Sequence, residues 1–133
     1  MKISSEREML DFGENFAKKL TFPAVIELIG DVGAGKTTFT RGLAKGLGVS
    51  EPVTSPSFTI SKRYAFPNGS LIHYDFYRLP DPGLMLEDFL DATSEKNSVV
   101  VVEWGKDIEE FLPEKHFTLN FVLNDDGSRE VIL

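Results

Sequence analysis

The chain has no cysteine. That absence excludes disulfide scaffolds, thiolate zinc sites, iron–sulfur clusters and cysteine nucleophiles. Histidine is scarce, with two residues and no zinc-site spacing. Long apolar runs are missing as well. No stretch approaches the ~20 residues of a membrane span, and the opening MKISSEREMLDF has no apolar stretch of signal-peptide length. Positive charge is short: 14 Lys+Arg against 21 Asp+Glu leave a net charge of −7. A free-standing nucleic-acid binder needs a basic footprint for its phosphate contacts, so that class is disfavoured, although a local basic strip stays open. No internal repeat or low-complexity tract is present. What remains is ordinary in amount: 133 residues, 41% hydrophobic, 26% charged, with 11 Phe supplying much of the apolar volume. This composition predicts one cored domain spanning residues 1–133, cytoplasmic and not membrane-bound.

Periodicity gives the coarse organisation. Ser5-Glu6-Arg7-Glu8 has capping-box spacing, and Met9, Phe12, Phe16 and Leu20 follow at helical intervals, so residues 5–20 read as an amphipathic helix. Residues 24–29 (AVIELI) read as a strand and 36–47 as a helix, with Gly48 past its end. A strand over 58–64, a turn over 66–70 and a strand over 71–74 follow. Asp81-Pro82-Gly83 opens a short helix to about Leu90, and SVVVV (98–102) is a strand covered on both faces. Phe117, Leu119, Phe121 and Leu123 alternate, and Asn124–Gly127 turns the chain back into 129–133. The expected fold is α/β: a mixed sheet like that of P-loop NTPases, with parallel centre, antiparallel edge strands and flanking helices.

Between that first long strand and its helix lies Gly30-Asp31-Val32-Gly33-Ala34-Gly35-Lys36-Thr37, which fits G-x-x-x-x-G-K-[ST]. The setting, strand before and helix after, is the one in which this motif binds phosphate. Its glycines turn the backbone so that successive amides point at phosphate oxygens, and the opening helix adds free N–H groups and a positive end. Asp31, Val32, Gly33, Ala34, Gly35, Lys36, Thr37 and Thr38 are the expected nucleotide-binding residues. Lys36 would bridge the β- and γ-phosphates, and the Thr37 hydroxyl would ligate Mg²⁺. The bland alternative is a Gly-rich turn with Lys36 in water. No Asn/Thr-Lys-x-Asp element is present to read guanine, which points to ATP. A small-molecule kinase would need lid and acceptor segments for which little chain is left.

A phosphate-loop enzyme needs a carboxylate at the end of a neighbouring strand, to hold Mg²⁺ or orient water. Asp75 ends LIHYD and Glu103 follows four valines, so both acids sit where open α/β sheets bind ligands. Each could instead be a surface carboxylate. Thr54-Ser55-Pro56-Ser57-Phe58 reads either as a nucleotide-sensing switch or as a plain Ser/Pro turn. His73 reads as hydrogen-bonded structure, Trp104 as core or pocket wall, and Glu87-Asp88 and Asp125-Asp126 as solvated charge.

GDVGAGKTTFTRGLAKGLG (30–48), VTSPSF (53–58), HYDFYRL (73–79) and VVEWG (101–105), taken in that order, resemble the TsaE family. The resemblance runs from the N-terminal helix to the final hairpin. It implies a partner-dependent, Mg²⁺-dependent ATPase working with the TsaD and TsaB proteins. That pair transfers a threonylcarbamoyl group to adenosine 37 of tRNAs reading A-starting codons. The tRNA would be gripped mainly by the partners, which suits an acidic subunit. By the same resemblance Lys36, Glu103 and Asp75 carry catalysis, and Thr37, Glu103, Asp75 and Ser57 hold the metal. Ser57 departs from the family's Ser-Pro-Thr by a methyl while keeping the hydroxyl. Tyr77 and Arg78 shape a partner surface or pair with a carboxylate, and Glu6 and Arg129 are candidates for base contacts. Two readings from other classes compete: a nucleotide-sensing interaction protein and a small-molecule P-loop kinase.

Overall fold

The chain begins by tying its own end into the sheet. Lys2–Ile3 form a two-residue strand, β1, and Ile3 is buried in the main core. Too short to show alternation, β1 is invisible in the sequence pattern. The capping box then opens α1 (Glu6–Lys18): the Glu8 amide donates to Ser5 Oγ at 3.1 Å, and the Glu8 carboxylate accepts from the Ser4 amide. The computed structural model describes residues 1–54, 60–77, 83–104 and 106–133.

The strands are β2 (Ala24–Ile29), β3 (Ser61–Phe66), β4 (Gly69–Asp75), β5 (Ser98–Glu103), β6 (Phe117–Leu123) and β7 (Arg129–Ile132). With β1 they make one sheet in the order β1-β7-β6-β2-β5-β4-β3. The four central strands β6, β2, β5 and β4 run parallel, and β3, β7 and β1 join antiparallel at the edges. The expected architecture is therefore the observed one. In β5 every residue is buried, because both faces of that strand are covered.

One face of the sheet carries α1 and α2 (Lys36–Leu47) over Ile26, Leu28, Leu71, Val99, Val101, Leu119 and Phe121. Phe12, Phe16, Phe39, Phe117 and Phe121 meet there edge-on or tilted, with ring centroids 5.2–6.1 Å apart. The two helices touch backbone to backbone. A Cβ at Gly42 would lie 2.2 Å from the Leu10 carbonyl, so only glycine fits at that position. This contact fixes α2, and with it the start of α2, against the sheet. The other face holds α3 (Gly83–Ser94) over Ile72, Tyr74, Val100 and Val102.

Local details depart from or add to the expectations. α3 continues past Leu90 to Ser94, since Ala92 follows Phe89 onto the buried stripe. The first hairpin turns on Pro67-Asn68 alone, with Phe66 opposite Gly69. A 3₁₀ turn, Lys106–Phe111, follows β5 and drops Ile108 into the second core. Asp88 and Asp126 are not merely solvated: Asp88 accepts the Tyr74 hydroxyl at 2.6 Å, and Asp126 accepts the amide and hydroxyl of Ser128. Those bonds hold the Asp126 carboxyl down at about 2, whereas burial, with Asp88 beside it, pushes the Tyr74 hydroxyl up. Among the described residues no helix is long and apolar enough to cross a membrane.

Candidate functional site

Parallel pairing in the centre of the sheet brings three strand ends together. Leu28 of β2 lies opposite Glu103 of β5, and Glu103 lies opposite Asp75 of β4. The loop 30–35 leaves β2 at this edge and feeds directly into α2. The sequence-predicted acids and the phosphate loop thus converge, because the order β2-β5-β4 makes their ends neighbours.

The loop is built to present donors. The first α-helical bond of α2 runs from the Phe39 amide to the Gly35 carbonyl at 2.9 Å, so the amides of Lys36, Thr37 and Thr38 precede any intrahelical partner. Gly35 caps the helix with φ +107, a left-handed conformation that side chains resist, and a Cβ there would meet Met9 Cε at 2.7 Å. Arg129 reaches over from β7 and donates to the Gly33 carbonyl at 3.1 Å and to the Gly127 carbonyl at 3.2 Å. It clamps the loop from outside.

A cavity of about 480 Å³ opens over these groups. Val32, Gly33, Gly35, Lys36, Thr37 and Thr38 line it together with Asp75 and Glu103, and with Ser5, Glu6 and Arg129. Tyr77 and Trp104 complete the rim, their rings 4.8 Å apart. Two residues of the predicted nucleotide-binding set stand apart. Ala34 packs into the core and its amide already donates to Asp31, and Asp31 lines an adjoining cavity of about 350 Å³ with Glu27 and Glu109. Ser57 and Arg78, like the rest of the 55–59 and 78–82 segments, lie outside the described residues.

Lys36 is not the solvated lysine of the bland alternative. It is 6% exposed, donates to the Gly30 carbonyl at 2.5 Å, sits 3.7 Å from Glu103 Oε1 and lies 4.2 Å below the Trp104 ring. Trp104 takes this position with φ +58, a left-handed backbone uncommon for a bulky side chain. Such conformations concentrate where a site dictates them. The indole is therefore pocket wall rather than core. Glu103 Oε2 in turn pairs with His73 Nε2 at 2.5 Å. Asp75, half-buried beside them, accepts the Tyr77 amide at 3.0 Å. Burial raises its carboxyl above the usual range, against that hydrogen bond, and the nearby Glu103 adds to the rise. Among the described residues no group of three His, Cys, Asp or Glu is placed to hold a metal. The available oxygen donors, Thr37 and the two acids, suit a hard ion that keeps water and phosphate in its shell, which is the habit of Mg²⁺.

Sequence reasoning missed two partners. The His73–Glu103 pair needs β4 beside β5, and the Lys36–Trp104 contact needs the left-handed turn after Glu103; neither leaves a local signal. Arg41 and Arg63, both conceivable phosphate-reaching cations, are engaged elsewhere. Arg41 donates to the Val53 carbonyl, and Arg63 makes a two-pronged pair with Glu95.

Comparison with known proteins places this geometry. The family model described as "Threonylcarbamoyl adenosine biosynthesis protein TsaE" matches residues 3–131. The chain is 44% identical over 108 residues to the tRNA threonylcarbamoyladenosine biosynthesis protein TsaE of Bacillus subtilis, covering 80% of this chain and 66% of that one. It is 37% identical over 131 residues to the protein of the same name from Treponema pallidum, covering 96% and 93%. A crystal structure of Bacillus subtilis YdiB superposes with a TM-score of 0.79 at 34% identity, covering 98% of this chain and 80% of that one.

Proposed function

Because the chain belongs to the TsaE family of tRNA threonylcarbamoyladenosine biosynthesis, we propose that it is the Mg²⁺-dependent ATPase of that modification, acting with TsaB and TsaD. The observation that carries the reading is the buried Lys36 ammonium, which faces the cavity among free amides and two strand-end acids. A polyphosphate satisfies every one of those donors at once. Lys36 takes over the charge developing between the β- and γ-phosphates, and the loop amides hold the chain of phosphates in register. Thr37, Glu103 and Asp75 would hold Mg²⁺, which would supply neutralisation of phosphate charge. Glu103 also orients the attacking water, since it ends β5, a strand buried along its whole length. The base lies toward Ser5, Glu6 and Arg129, which line the same cavity.

Partner dependence follows from the supply of cations. Among the described residues only Lys36 and Arg129 bring positive charge to the cavity, and Arg129 is spent on the loop carbonyls. A transition state that spreads charge over three equatorial oxygens needs more than one cation. Contact with TsaB–TsaD completes the site, and the partners also hold the tRNA, which the net charge of −7 disfavours binding alone. Single-turnover ATP hydrolysis, measured with and without TsaB–TsaD, tests the reading. The chain alone should turn over slowly and the assembly faster. Equal rates would reject partner activation, and undiminished turnover in Lys36→Ala would reject the phosphate-loop assignment.

A further inference from the structure

His73 is fully buried, on the face of β4 that otherwise presents Leu71 to the helices, and it lies opposite Val101 of β5. An apolar side chain would fill such a position without penalty. The imidazole instead makes one polar contact, Nε2 to Glu103 Oε2, and its Nδ1 has no partner among the described residues. Buried polar atoms left unpaired are rare in folded proteins, and each calls for a reason. Here the reason lies on the other nitrogen. A carboxylate accepts, so Nε2 is the donor, and among the described residues the ring's one hydrogen bond goes to Glu103.

We infer that His73 is a positioning residue: it holds Glu103 Oε2 inside the sheet, so that Oε1 alone faces Lys36 and the nucleotide cavity. The geometry divides the carboxylate accordingly, with Oε2 on His73 and Oε1 3.7 Å from Lys36 Nζ. One oxygen anchored in protein removes rotation about the terminal torsion, which is otherwise broad for a glutamate. When phosphates draw Lys36 away, Glu103 keeps its aim because the second anchor is independent of the first. This rests on the proposed ATPase reading, in which Glu103 serves the metal and the attacking water.

The experiment compares His73→Leu, His73→Gln and Lys36→Ala in the full-length chain with TsaB–TsaD. Three quantities are read: ATP affinity without Mg²⁺, the gain in affinity on adding Mg²⁺, and single-turnover hydrolysis. His73→Leu should keep Mg²⁺-free affinity within about threefold, lose most of the Mg²⁺ gain and slow hydrolysis at least about thirtyfold, or ~2 kcal/mol. His73→Gln, whose amide nitrogen reaches close to the Nε2 position, should restore both to within about fivefold of the parent. A filler role predicts the opposite order, leucine tolerated and glutamine harmful, and that order overturns the inference. Should His73→Leu fold poorly, His73→Gln still decides, because loss of the Mg²⁺ gain in that variant also overturns it. If Lys36→Ala hydrolyses ATP normally, the phosphate-loop assignment has failed, and if the parent chain with TsaB–TsaD does not hydrolyse ATP, the ATPase reading has failed, each separately from the role of His73.

Discussion

Replacing Glu103 by glutamine keeps its shape and its bond with His73, and deletes one negative charge 3.7 Å from Lys36 Nζ. Both side chains are 6% exposed, so water screens the pair weakly. At an effective dielectric of about 20, unit charges at that separation attract by about 4–5 kcal/mol. Removing one partner of a buried pair costs about 3–5 kcal/mol, because the other charge is stranded. The Gly30 carbonyl and the Trp104 ring still hold the ammonium, so a loss near the lower end, about 3 kcal/mol, is expected. With an unfolding entropy of about 0.3 kcal/mol/K for a chain of this size, the nucleotide-free Tm should fall by about 10 °C. Added ATP reverses the sign. Its phosphates seek the same ammonium, and in Glu103→Gln they no longer compete with a carboxylate for it. Mg²⁺-free ATP should bind about 3–10-fold tighter, a gain of roughly 0.7–1.4 kcal/mol, while turnover in the assembly drops by about two orders of magnitude. Thermal melts with and without ATP in EDTA, paired with calorimetric titration, read both effects. An unshifted Tm together with weaker Mg²⁺-free binding would refute the claim that Glu103 restrains Lys36 in the nucleotide-free chain.

Lys36→Ala should weaken ATP binding about 100-fold or more, roughly 3 kcal/mol, as read by titration. Trp104 is the chain's one tryptophan and covers Lys36, so ATP should change its fluorescence in the parent and leave it unchanged in Lys36→Ala; an identical response in both would remove the indole from the site. Arg129→Ala frees the Gly33 and Gly127 carbonyls and should lower ATP affinity about 3–10-fold, with no change in far-UV circular dichroism. Glu27 is 4% exposed, and its carboxyl is pushed above the ordinary 4.5, by burial first and by Glu109 second. The folded state therefore binds that proton more tightly than the unfolded one, so this group lowers stability as pH rises from 4.5 through the raised value. Glu27→Gln should melt about 2–4 °C higher at pH 7 and lose the advantage below pH 4.5; an advantage that persists in acid would show that its cause is not the charge.

How much of this was legible beforehand depends on the distance over which each feature is encoded. The phosphate loop is eight consecutive residues, so Gly30 to Thr37 could be read directly. Asp75 and Glu103 were legible one step further away, because each closes an apolar strand and parallel strands end on the same side of the sheet. Their adjacency to each other and to the loop required the order β2-β5-β4, which pattern alone does not give. His73 was read as hydrogen-bonded structure, which it is; that its partner is Glu103 depends on register between strands 30 residues apart. Phe117 and Leu123 kept the alternation of β6, yet both are exposed, since they stand at the two ends of the strand. Periodicity reports which way a side chain points, and only packing decides whether anything covers it. The acidic pair Glu87-Asp88 fails for a related reason. Asp88 stays exposed while caught by a tyrosine from the strand beneath, a contact that no helical period encodes.

The internal pairing of Lys36 has a consequence for how such a site can be regulated. In the nucleotide-free chain the lysine's charge is answered by the Gly30 carbonyl, the Trp104 ring and Glu103. Binding phosphate exchanges those contacts for others rather than adding to a free charge, so part of the gross attraction is offset and affinity is moderated. On the proposed reading, the same exchange would free Glu103 Oε1 for the metal and the γ-phosphate. Occupancy of the loop and availability of the carboxylate are thereby one event. The Tyr77–Trp104 rim is exposed, and its Trp104 ring rests on Lys36, so it is the part of the site that a docking surface can reach and that must respond when the ammonium moves. On the proposed reading, a partner that favours one position of that rim would act on the phosphates through a single side chain. No long relay is required, because the rim, the cation and the acid are in direct contact.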